Sequence, residues 1–445
     1  MSIFTDRKFR LTSARIIAAG FLGVILMGAL LLCLPASSAR GAWTPFMDSL
    51  FTALSATCVT GLVVHDTASF WSPFGQLVIL ILIQIGGLGV ITTAFLVQVF
   101  AGSRISLIQR TLLQDSIAGD NVAGIIRMSL FILRVTAAAE LAGAALLYPV
   151  FRRDFGPARG LWYALFHSVS AFCNAGFDLM GIRENYSSLT GYAGNLQVTG
   201  TIMMLIIVGG LGFYTWKDMA EHRLHFAAYR LQSKIILCFT ALLIFLPACL
   251  FAAGEYVGLP AGERVLASLF QSVTTRTAGF NTTDLTQLSD NGRMIMILLM
   301  LIGGAPGSTA GGMKITTFAI LAATFISICR QSEGAMMFGR RLRRENIQTA
   351  VSILMLYLGG FLAAGMAISA LERAPLLSCL FETASAIGTV GLTLGLTPQL
   401  GQLSRLILML LMFAGRIGGL TLLYAAVRKT RVRAAHLPSE PVNVG

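Results

Sequence analysis

The amino-acid sequence predicts an all-α integral membrane protein made of four linked units of one kind, and three observations predict it. The chain has 445 residues, of which 55% are hydrophobic and 12% are charged, about half the charged fraction of a soluble domain. Eight apolar stretches are long enough to cross a bilayer, and two short strings recur four times in one order. This composition excludes a water-soluble enzyme, a disordered scaffold and a coiled coil.

A membrane-spanning helix needs roughly 20 apolar residues. The candidate spans are residues 16–34, 76–100, 128–151, 197–216, 235–253, 294–329, 348–370 and 405–427. Between alternate spans lie runs of about 11 apolar residues, too short to cross and suited to re-entrant segments, at residues 46–56, 161–172, 265–274 and 376–387. The first span follows a basic stretch, as a signal peptide would, but its length of about 19 residues exceeds the usual 7–15 of a signal-peptide core. We therefore expect a retained first span.

Basic residues are concentrated on one side of the predicted bilayer. Of the 33 lysines and arginines, 20 fall in segments 1–15, 101–127, 217–234, 330–346 and 428–445. The positive-inside rule therefore assigns both termini to the cytoplasm and the short apolar runs to the outer side. The net charge of +13 is then explained by basic cytoplasmic loops and does not indicate a nucleic-acid partner. The run Arg340-Arg341-Leu-Arg343-Arg344 could be a lipid or nucleic-acid patch, although a basic flank of the neighbouring span is the simpler interpretation.

Each short run ends in a similar string, in which a Phe is followed four positions later by Ser or Thr and nine or ten positions later by Gly. The Phe and Gly pairs are Phe51 and Gly61, Phe166 and Gly176, Phe270 and Gly279, and Phe381 and Gly391. A second string follows each pair: Gly86-Gly-Leu-Gly, Gly209-Gly-Leu-Gly, Gly303-Gly-Ala-Pro-Gly307 and Gly415-Arg-Ile-Gly-Gly419. Close helix packing through small residues explains one such string, but not its fourfold recurrence. The pattern indicates four parallel units of span, re-entrant helix, loop and span.

Four such loops around one axis favour a cation. A short helix that ends inside the membrane leaves carbonyl groups unpaired, and its negative dipole end points at the same spot. Glycine allows the backbone angles that turn successive carbonyls inward, and a carbonyl ring replaces water around an ion such as K⁺. The loops contain no Asp or Glu, which argues for a monovalent ion, and further oxygens could come from Thr57, Thr60, Asn174, Thr275, Thr277 and Thr389.

These loops, with the string Gly303-Gly-Ala-Pro-Gly-Ser-Thr-Ala-Gly-Gly-Met-Lys314-Ile-Thr-Thr, resemble the Trk/Ktr/HKT superfamily of potassium transporters from about residue 14 to 430. Eight spans make the chain most similar to the membrane subunit of a bacterial Ktr-type uptake system. The resemblance implies four span–pore helix–filter loop–span repeats arranged pseudo-fourfold around one central pore. Their expected limits are 13–100, 128–217, 234–330 and 346–429, the third broken at 303–314, with cytoplasmic tails at 1–12 and 430–445.

The resemblance also implies the residues of a selectivity filter that binds K⁺, with a glycine at the end of each string. They are Thr57, Cys58, Val59, Thr60 and Gly61; Cys173, Asn174, Ala175 and Gly176; Arg276, Thr277, Ala278 and Gly279; and Gly388, Thr389, Val390 and Gly391. Four glycines favour K⁺ over Na⁺. We expect the Arg276 side chain to brace its loop without contacting the ion, and Glu382 to make a structural hydrogen bond.

The resemblance further implies a gating loop below the filter. The residues of this loop are Gly303, Gly304, Ala305, Pro306, Gly307, Ser308, Thr309, Ala310, Gly311 and Gly312. One Pro and five Gly in mid-span support a break in the helix, and a merely kinked helix is the alternative. In the family an arginine at the position of Arg416 faces this loop. For Lys314 two interpretations stay open, as a cation lining the inner vestibule or as a side chain reaching the cytoplasmic interface.

The expected function is potassium uptake across the bacterial cytoplasmic membrane, with Na⁺ stimulation left open. The resemblance implies a homodimer and a cytoplasmic ring of nucleotide-binding RCK-type regulatory subunits; no cofactor and no catalytic residue is predicted. Two rival functions are a sodium- or proton-coupled carrier of another small solute and a membrane-embedded enzyme. Such carriers often use inverted repeats and charged midplane residues, whereas these units are parallel, and an enzyme needs a catalytic constellation that the scattered histidines do not form.

Overall fold

The computed structural model describes residues 13–100, 125–182, 184–223, 225–332, 334–419 and 421. The predicted tails, 1–12 and 430–445, and the end of the fourth repeat lie outside the described residues. In chain order the helices are α1 (Ser13–Cys33), α2 (Phe46–Thr57), α3 (Thr67–Phe70), α4 (Pro73–Leu88), α5 (Val90–Phe100), α6 (Ile125–Phe155), α7 (Pro157–Phe172), α8 (Leu196–Gly210), α9 (Phe213–His222), α10 (Leu231–Gly254), α11 (Ala261–Thr274), α12 (Asp290–Leu301), α13 (Ile315–Cys329), α14 (Arg344–Glu372), α15 (Leu376–Gly388) and α16 (Gln402–Ile417). Strands β1 (Met336–Met337) and β2 (Arg340–Arg341) form an antiparallel hairpin between α13 and α14.

The long apolar helices indicate a multi-pass membrane protein. Within the described ranges, α1, α6, α10 and α14 are each long and apolar enough to cross a membrane, and they are the first helices of the four predicted repeats. The pairs α4–α5 and α8–α9 qualify only when each is counted as one bent span. The helices extend past the predicted limits at residues 128, 217, 234 and 346 by two to five residues.

Sharp bends interrupt two of the predicted second spans. Helices α4 and α5 meet at 98°, and α8 and α9 at 96°. Gly89 and Gly212 lie at these bends, and Gly418 ends α16; their φ values are 88°, 88° and 92°. This left-handed region is open to glycine without a steric penalty. The candidate spans 76–100 and 197–216 are therefore each formed by two helices joined at a bend, and over 405–427 the helix is interrupted after Ile417.

The four short helices α2, α7, α11 and α15 begin alike. Each has a proline at its N-cap or first position, where a missing N–H costs nothing and the fixed φ suits a helix; these prolines are Pro45, Pro157, Pro260 and Pro375. The buried residues of each short helix are concentrated in its C-terminal half. The sequence thus starts these helices near the surface and directs their carbonyl ends into the interior.

Packing between repeats follows one order. Each short helix packs on the first span of its own repeat, and the second span of each repeat contacts the short helix of the next: α4 contacts α7, α8 contacts α11, and α12 contacts α15. Helix α16 of the fourth repeat contacts α2 of the first. This succession of contacts therefore returns to its starting point.

Candidate functional site

The loops after the four short helices share an unusual backbone. Each has a non-glycine residue with positive φ two positions before its glycine, which itself has positive φ; the pairs are Val59 and Gly61 (56° and 93°), Asn174 and Gly176 (57° and 71°), Thr277 and Gly279 (65° and 84°), and Thr389 and Gly391 (51° and 92°). A left-handed non-glycine residue is uncommon and costs of order 1–3 kcal/mol. Its recurrence at one position in four loops indicates a required conformation.

The four glycines of these loops touch one another in sequence order. A Cβ atom built on Gly61 would lie 3.1 Å from the Cα of Gly176, and one on Gly176 would lie 3.0 Å from the Cα of Gly279. The corresponding distances are 3.3 Å from Gly279 to Gly391 and 2.9 Å from Gly391 back to Gly61. The backbones therefore form a closed ring with no room for a side chain at any of the four positions.

All seventeen predicted filter residues are buried and lie at or just beyond the ends of the short helices. The hydroxyls of Thr60 and Thr389 have no hydrogen-bond partner among the described residues. In contrast, Thr57 donates to the Ala53 carbonyl of its own helix at 2.8 Å. The unpartnered hydroxyls can serve an ion or water, because buried polar groups are otherwise satisfied.

In two of the loops, a serine four residues after the recurring Phe forms a hydrogen bond with the ring glycine. Ser55 Oγ accepts a hydrogen bond from the N–H of Gly61 at 3.1 Å, and Ser385 Oγ accepts one from Gly391 at 3.0 Å. These are the first and fourth repeats. Each serine fixes the orientation of the peptide group that ends in the ring glycine.

The second and third repeats use the same position in a different way. Ser170 Oγ donates to the carbonyl of Phe177 at 2.7 Å, and Thr274 Oγ1 donates to the carbonyl of Phe280 at 2.5 Å. The accepting residue follows the ring glycine directly in each case. The recurring Ser or Thr is visible in the sequence, but spacing alone does not assign it this bracing role.

In three of the four repeats the second string brings the second span against the end of a short helix. A Cβ on the first glycine of the string would overlap the carbonyl oxygen of a residue at or next to the helix end; the pairs are Gly86 with Thr57, Gly209 with Phe172, and Gly415 with Ile387. Glycine is required here because backbone meets backbone. In the third repeat the corresponding Gly303 packs instead on Gly311.

Residues 303–312 form a non-helical loop between α12 and α13, as the sequence predicts, not a kinked helix. The loop is closed at its base, where the N–H of Gly303 donates to the carbonyl of Met313 at 2.7 Å and the N–H of Ile315 donates to Gly304 at 3.0 Å. A Cβ on Gly311 would overlap the Thr389 hydroxyl, and one on Gly312 would lie 2.9 Å from the Gly388 carbonyl oxygen. Residues 303–312 therefore directly contact the loop that follows α15.

Backbone hydrogen bonds tie this loop to the breaks in two neighbouring spans. The N–H of Ala305 donates to Gly210 at 3.0 Å, and the N–H of Phe213 donates to Gly307 at 2.7 Å. On the opposite side the N–H of Gly312 donates to Gly415 at 3.2 Å. The helix breaks of the second and fourth repeats thus expose the carbonyl and N–H groups that hold the loop.

Two cationic side chains bind consecutive carbonyls of the loop. The Arg416 guanidinium donates to the Thr309 carbonyl and to the carbonyls of Gly86 and Gly87, the last at 3.1 Å. The Lys314 ammonium donates to the Ala310 carbonyl at 2.7 Å. Arg416 thus faces the loop as the resemblance implies. Lys314 turns back onto the loop, and both sequence interpretations of this residue stay predictions.

Two further charged side chains, those of Arg276 and Glu382, form hydrogen bonds with residues outside the predicted filter strings. The Arg276 guanidinium donates to the Thr240 carbonyl of α10 at 3.2 Å, which ties the third loop to this helix. That Arg276 does not contact the ion stays a prediction. Glu382 accepts hydrogen bonds from the Thr393 hydroxyl at 2.7 Å and the Thr397 hydroxyl at 2.6 Å. Its structural role, predicted from the sequence, is thereby confirmed.

The deciding comparison is with a protein-family model, that of TrkH, described as a cation transport protein, which matches residues 12–432. The chain belongs to the TrkH family of cation transport proteins. This TrkH family member is 39% identical to the potassium/sodium uptake protein NtpJ of Enterococcus hirae over 100% of both chains. It is 37% identical to the Ktr system potassium uptake protein B of Bacillus subtilis, over 94% of this chain and 93% of that one.

The fold of this TrkH family member has a counterpart among solved structures. It matches the crystal structure of the potassium transporter TrkH from Vibrio parahaemolyticus with a TM-score of 0.71 and 18% identity, over 94% of this chain and 86% of that chain. The sequence resemblance to the Trk/Ktr/HKT superfamily, and to a Ktr-type membrane subunit, is therefore confirmed. Because the family is one of cation transport proteins, the prediction that the chain is not an enzyme is confirmed as well.

Proposed function

We propose that this chain takes up potassium ions through a selectivity filter formed by its four loops, with the repeats in pseudo-fourfold order around one pore. The observation that carries the proposal is the closed ring of Gly61, Gly176, Gly279 and Gly391. In such a ring the loop carbonyls replace the hydration shell of a monovalent cation. The names of NtpJ and of the Ktr system protein B, both referring to potassium uptake, support K⁺ as the ion.

The electrostatics of the site favour a cation without help from acidic side chains. Four short helices direct the negative ends of their dipoles at the ring. The filter strings contain no Asp or Glu, so the attraction comes from backbone carbonyls and the hydroxyls of Thr60 and Thr389. Such a neutral oxygen cage suits K⁺ better than a divalent ion, which is more often bound by acidic rings.

Residues 303–312 are the proposed gate. The loop lies against the fourth filter loop and the carbonyl end of α7, and Lys314 and Arg416 hold its backbone there. Opening the pathway would require these hydrogen bonds to break. Irregular backbone at membrane depth is tolerated where it lines a cavity, which agrees with this role.

The proposed assembly is a homodimer that binds a cytoplasmic ring of nucleotide-binding RCK-type subunits. The name "Ktr system" of the Bacillus subtilis relative supports a transporter of more than one component. We further propose that the chain lies in the bacterial cytoplasmic membrane with its basic segments and both termini inside, following the positive-inside rule. Sodium stimulation is part of the proposal because NtpJ is named for potassium and sodium.

The test is uptake of ⁸⁶Rb⁺ into proteoliposomes that contain this chain, competed with K⁺ or Na⁺. We expect K⁺ to block uptake at far lower concentration than Na⁺. Equal competition by both ions would contradict a K⁺-selective filter. If the folded chain alone shows no uptake, the regulatory ring is added. Uptake that appears on its addition indicates a gate that was closed, whereas continued absence of uptake indicates a wrong substrate.

A further inference from the structure

An open cavity of about 410 Å³ lies between α10, α13 and the β1–β2 hairpin, away from the filter and the gating loop. Its inner wall is apolar and consists of Phe239, Ala322, Ala323 and Ile326. Its volume falls in the range of about 300–1,000 Å³ that is typical of ligand sites. Nothing in the proposed ion pathway uses this cavity.

The lining at the C-terminal end of α13 and beyond adds one basic side chain and two hydroxyl side chains, next to the apolar Met336, Met337 and Phe338 of the hairpin segment. The basic and hydroxyl side chains are those of Arg330, Ser327 and Ser332, and the two serine hydroxyls lie 2.8 Å apart. The segment 330–346 carries five arginines and two glutamates. This end therefore offers a guanidinium and hydroxyl groups, the donors that bind a phosphate group.

The apolar and the basic parts of the lining are separated along the axis of α13. Arg330 lies eight residues after Ala322 on the course of α13, which corresponds to about 12 Å at 1.5 Å per residue. Phe325 and Ile328 on the same helix are 68% and 70% exposed and apolar, so this face of α13 is directed at the hydrocarbon of the bilayer. The cavity therefore runs from the basic membrane surface into the hydrocarbon region beside lipid.

We propose that this cavity binds one anionic phospholipid of the leaflet on the basic side, with its phosphate at Arg330 and an acyl chain against Ala322 and Phe239. Charge complementarity selects the headgroup, because a basic pocket at the inner surface of spanning helices attracts anionic lipids. The apolar wall favours a ligand that carries an acyl chain over a soluble phosphate compound.

Native mass spectrometry of the full chain in detergent tests the site, with phosphatidylglycerol and phosphatidylcholine of identical chains as probes. We expect preferential retention of phosphatidylglycerol by the unaltered chain. Arg330→Gln should lower that retention about fivefold, the change expected for one basic side chain near an anionic surface. The matched control Arg343→Gln, in the same segment but outside the cavity, should stay within about twofold of the unaltered chain, because it lacks contact with the bound lipid.

A second pair of variants tests the acyl chain. Ala322→Phe should fill the cavity and lower retention of phosphatidylglycerol, whereas Ile328→Phe on the exposed face of α13 should not. Equal retention of both lipids, an Arg330→Gln chain that retains phosphatidylglycerol fully, or equal losses in both arginine variants would overturn the proposal. A third contrary result is an Ala322→Phe chain that retains phosphatidylglycerol but changes its oligomeric mass. The cavity would then be an interface with a second copy of the chain, and the lipid would be bound elsewhere.

Thermal unfolding of each variant verifies that the chain is folded. The readout is lipid retention and needs no transport. The outcome is therefore independent of whether potassium uptake is the correct function.

Discussion

The Thr309 hydroxyl of the proposed gating loop lies 3.1 Å from the amide oxygen of Asn174 in the second of the proposed filter loops. The amide nitrogen of the same side chain lies 3.3 Å from the carbonyl oxygen of Arg276 in the third filter loop. All three residues are buried. One asparagine thus joins the gating loop to two of the four filter loops, so displacement of the gating loop changes the hydrogen bonding of a filter segment.

Thr309→Val should raise uptake of ⁸⁶Rb⁺ by the chain without its regulatory ring. The substitution keeps the side-chain shape but removes the proton shared by Asn174 and the Phe172 carbonyl. A buried acceptor left without its donor costs about 1–3 kcal/mol, which destabilises the closed loop and should increase basal flux at least fivefold. Thr309→Ser keeps the hydroxyl and is the control. Identical flux in Val and Ser variants would mean that this hydrogen bond does not hold the gate.

The sequence predicts the repeated strings, the ring glycines and the broken third repeat, because each depends on residue types at regular spacing. It does not predict the bends at Gly89 and Gly212. Hydropathy measures how apolar a segment is and not its direction, so a right-angle bend inside an apolar run leaves no trace in it. The partner of Lys314 is equally hidden, because a flexible side chain at a loop edge reaches the bilayer surface, the pore or the loop with the same sequence around it.

Deleting Ala305–Ala310 should raise flux and leave K⁺ over Na⁺ selectivity intact. The deletion is sterically feasible because the two ends of the removed segment lie close together. A Cβ on Gly304 would lie 2.5 Å from the Ala310 Cβ, and the N–H of Gly303 already donates to the Met313 carbonyl. It removes the Thr309 and Ala310 carbonyls that Arg416 and Lys314 bind. Uptake and competition assays in proteoliposomes measure both quantities. Unchanged flux in a folded deletion variant would argue against a gate in this segment.

Arg416→Gln and Lys314→Gln should each raise basal flux, and their effects should not add. The two cations bind adjacent carbonyls of one loop, and residues that share a partner show interaction energies of about 0.5–3 kcal/mol in double-mutant cycles. Arg416→Lys should behave more like Arg416→Gln than like the unaltered chain, because an ammonium lacks the planar fork that spans Thr309 and Gly86. Strictly additive effects on the logarithm of the flux would show that the two side chains act on separate elements.

Ser55→Ala and Ser385→Ala should weaken the preference for K⁺ over Na⁺ without abolishing uptake. Each variant leaves the N–H of a ring glycine without its acceptor, at a cost of about 1–3 kcal/mol. The loop can then rotate its carbonyls, and the K⁺ concentration that halves ⁸⁶Rb⁺ uptake should rise several-fold. Ser352→Ala removes an exposed hydroxyl that bonds to its own helix in α14 and is the matched control. Equal competition profiles for all three variants would assign the filter geometry to other contacts.

Gly279→Ser should reduce selectivity most strongly. Its φ of 84° is strained for any residue with a Cβ, and that Cβ would overlap the Val390 carbonyl oxygen of the adjacent loop. The carbonyl must move out of the ring, so K⁺ loses part of its cage while smaller Na⁺ keeps water in the enlarged space. With strain of order 1–3 kcal/mol, the ratio of half-blocking Na⁺ and K⁺ concentrations should fall about tenfold. Gly258→Ser, where a Cβ meets nothing within 4 Å, should leave the ratio unchanged. If both serine variants retain the ratio of the unaltered chain, the ring of glycines does not select the ion.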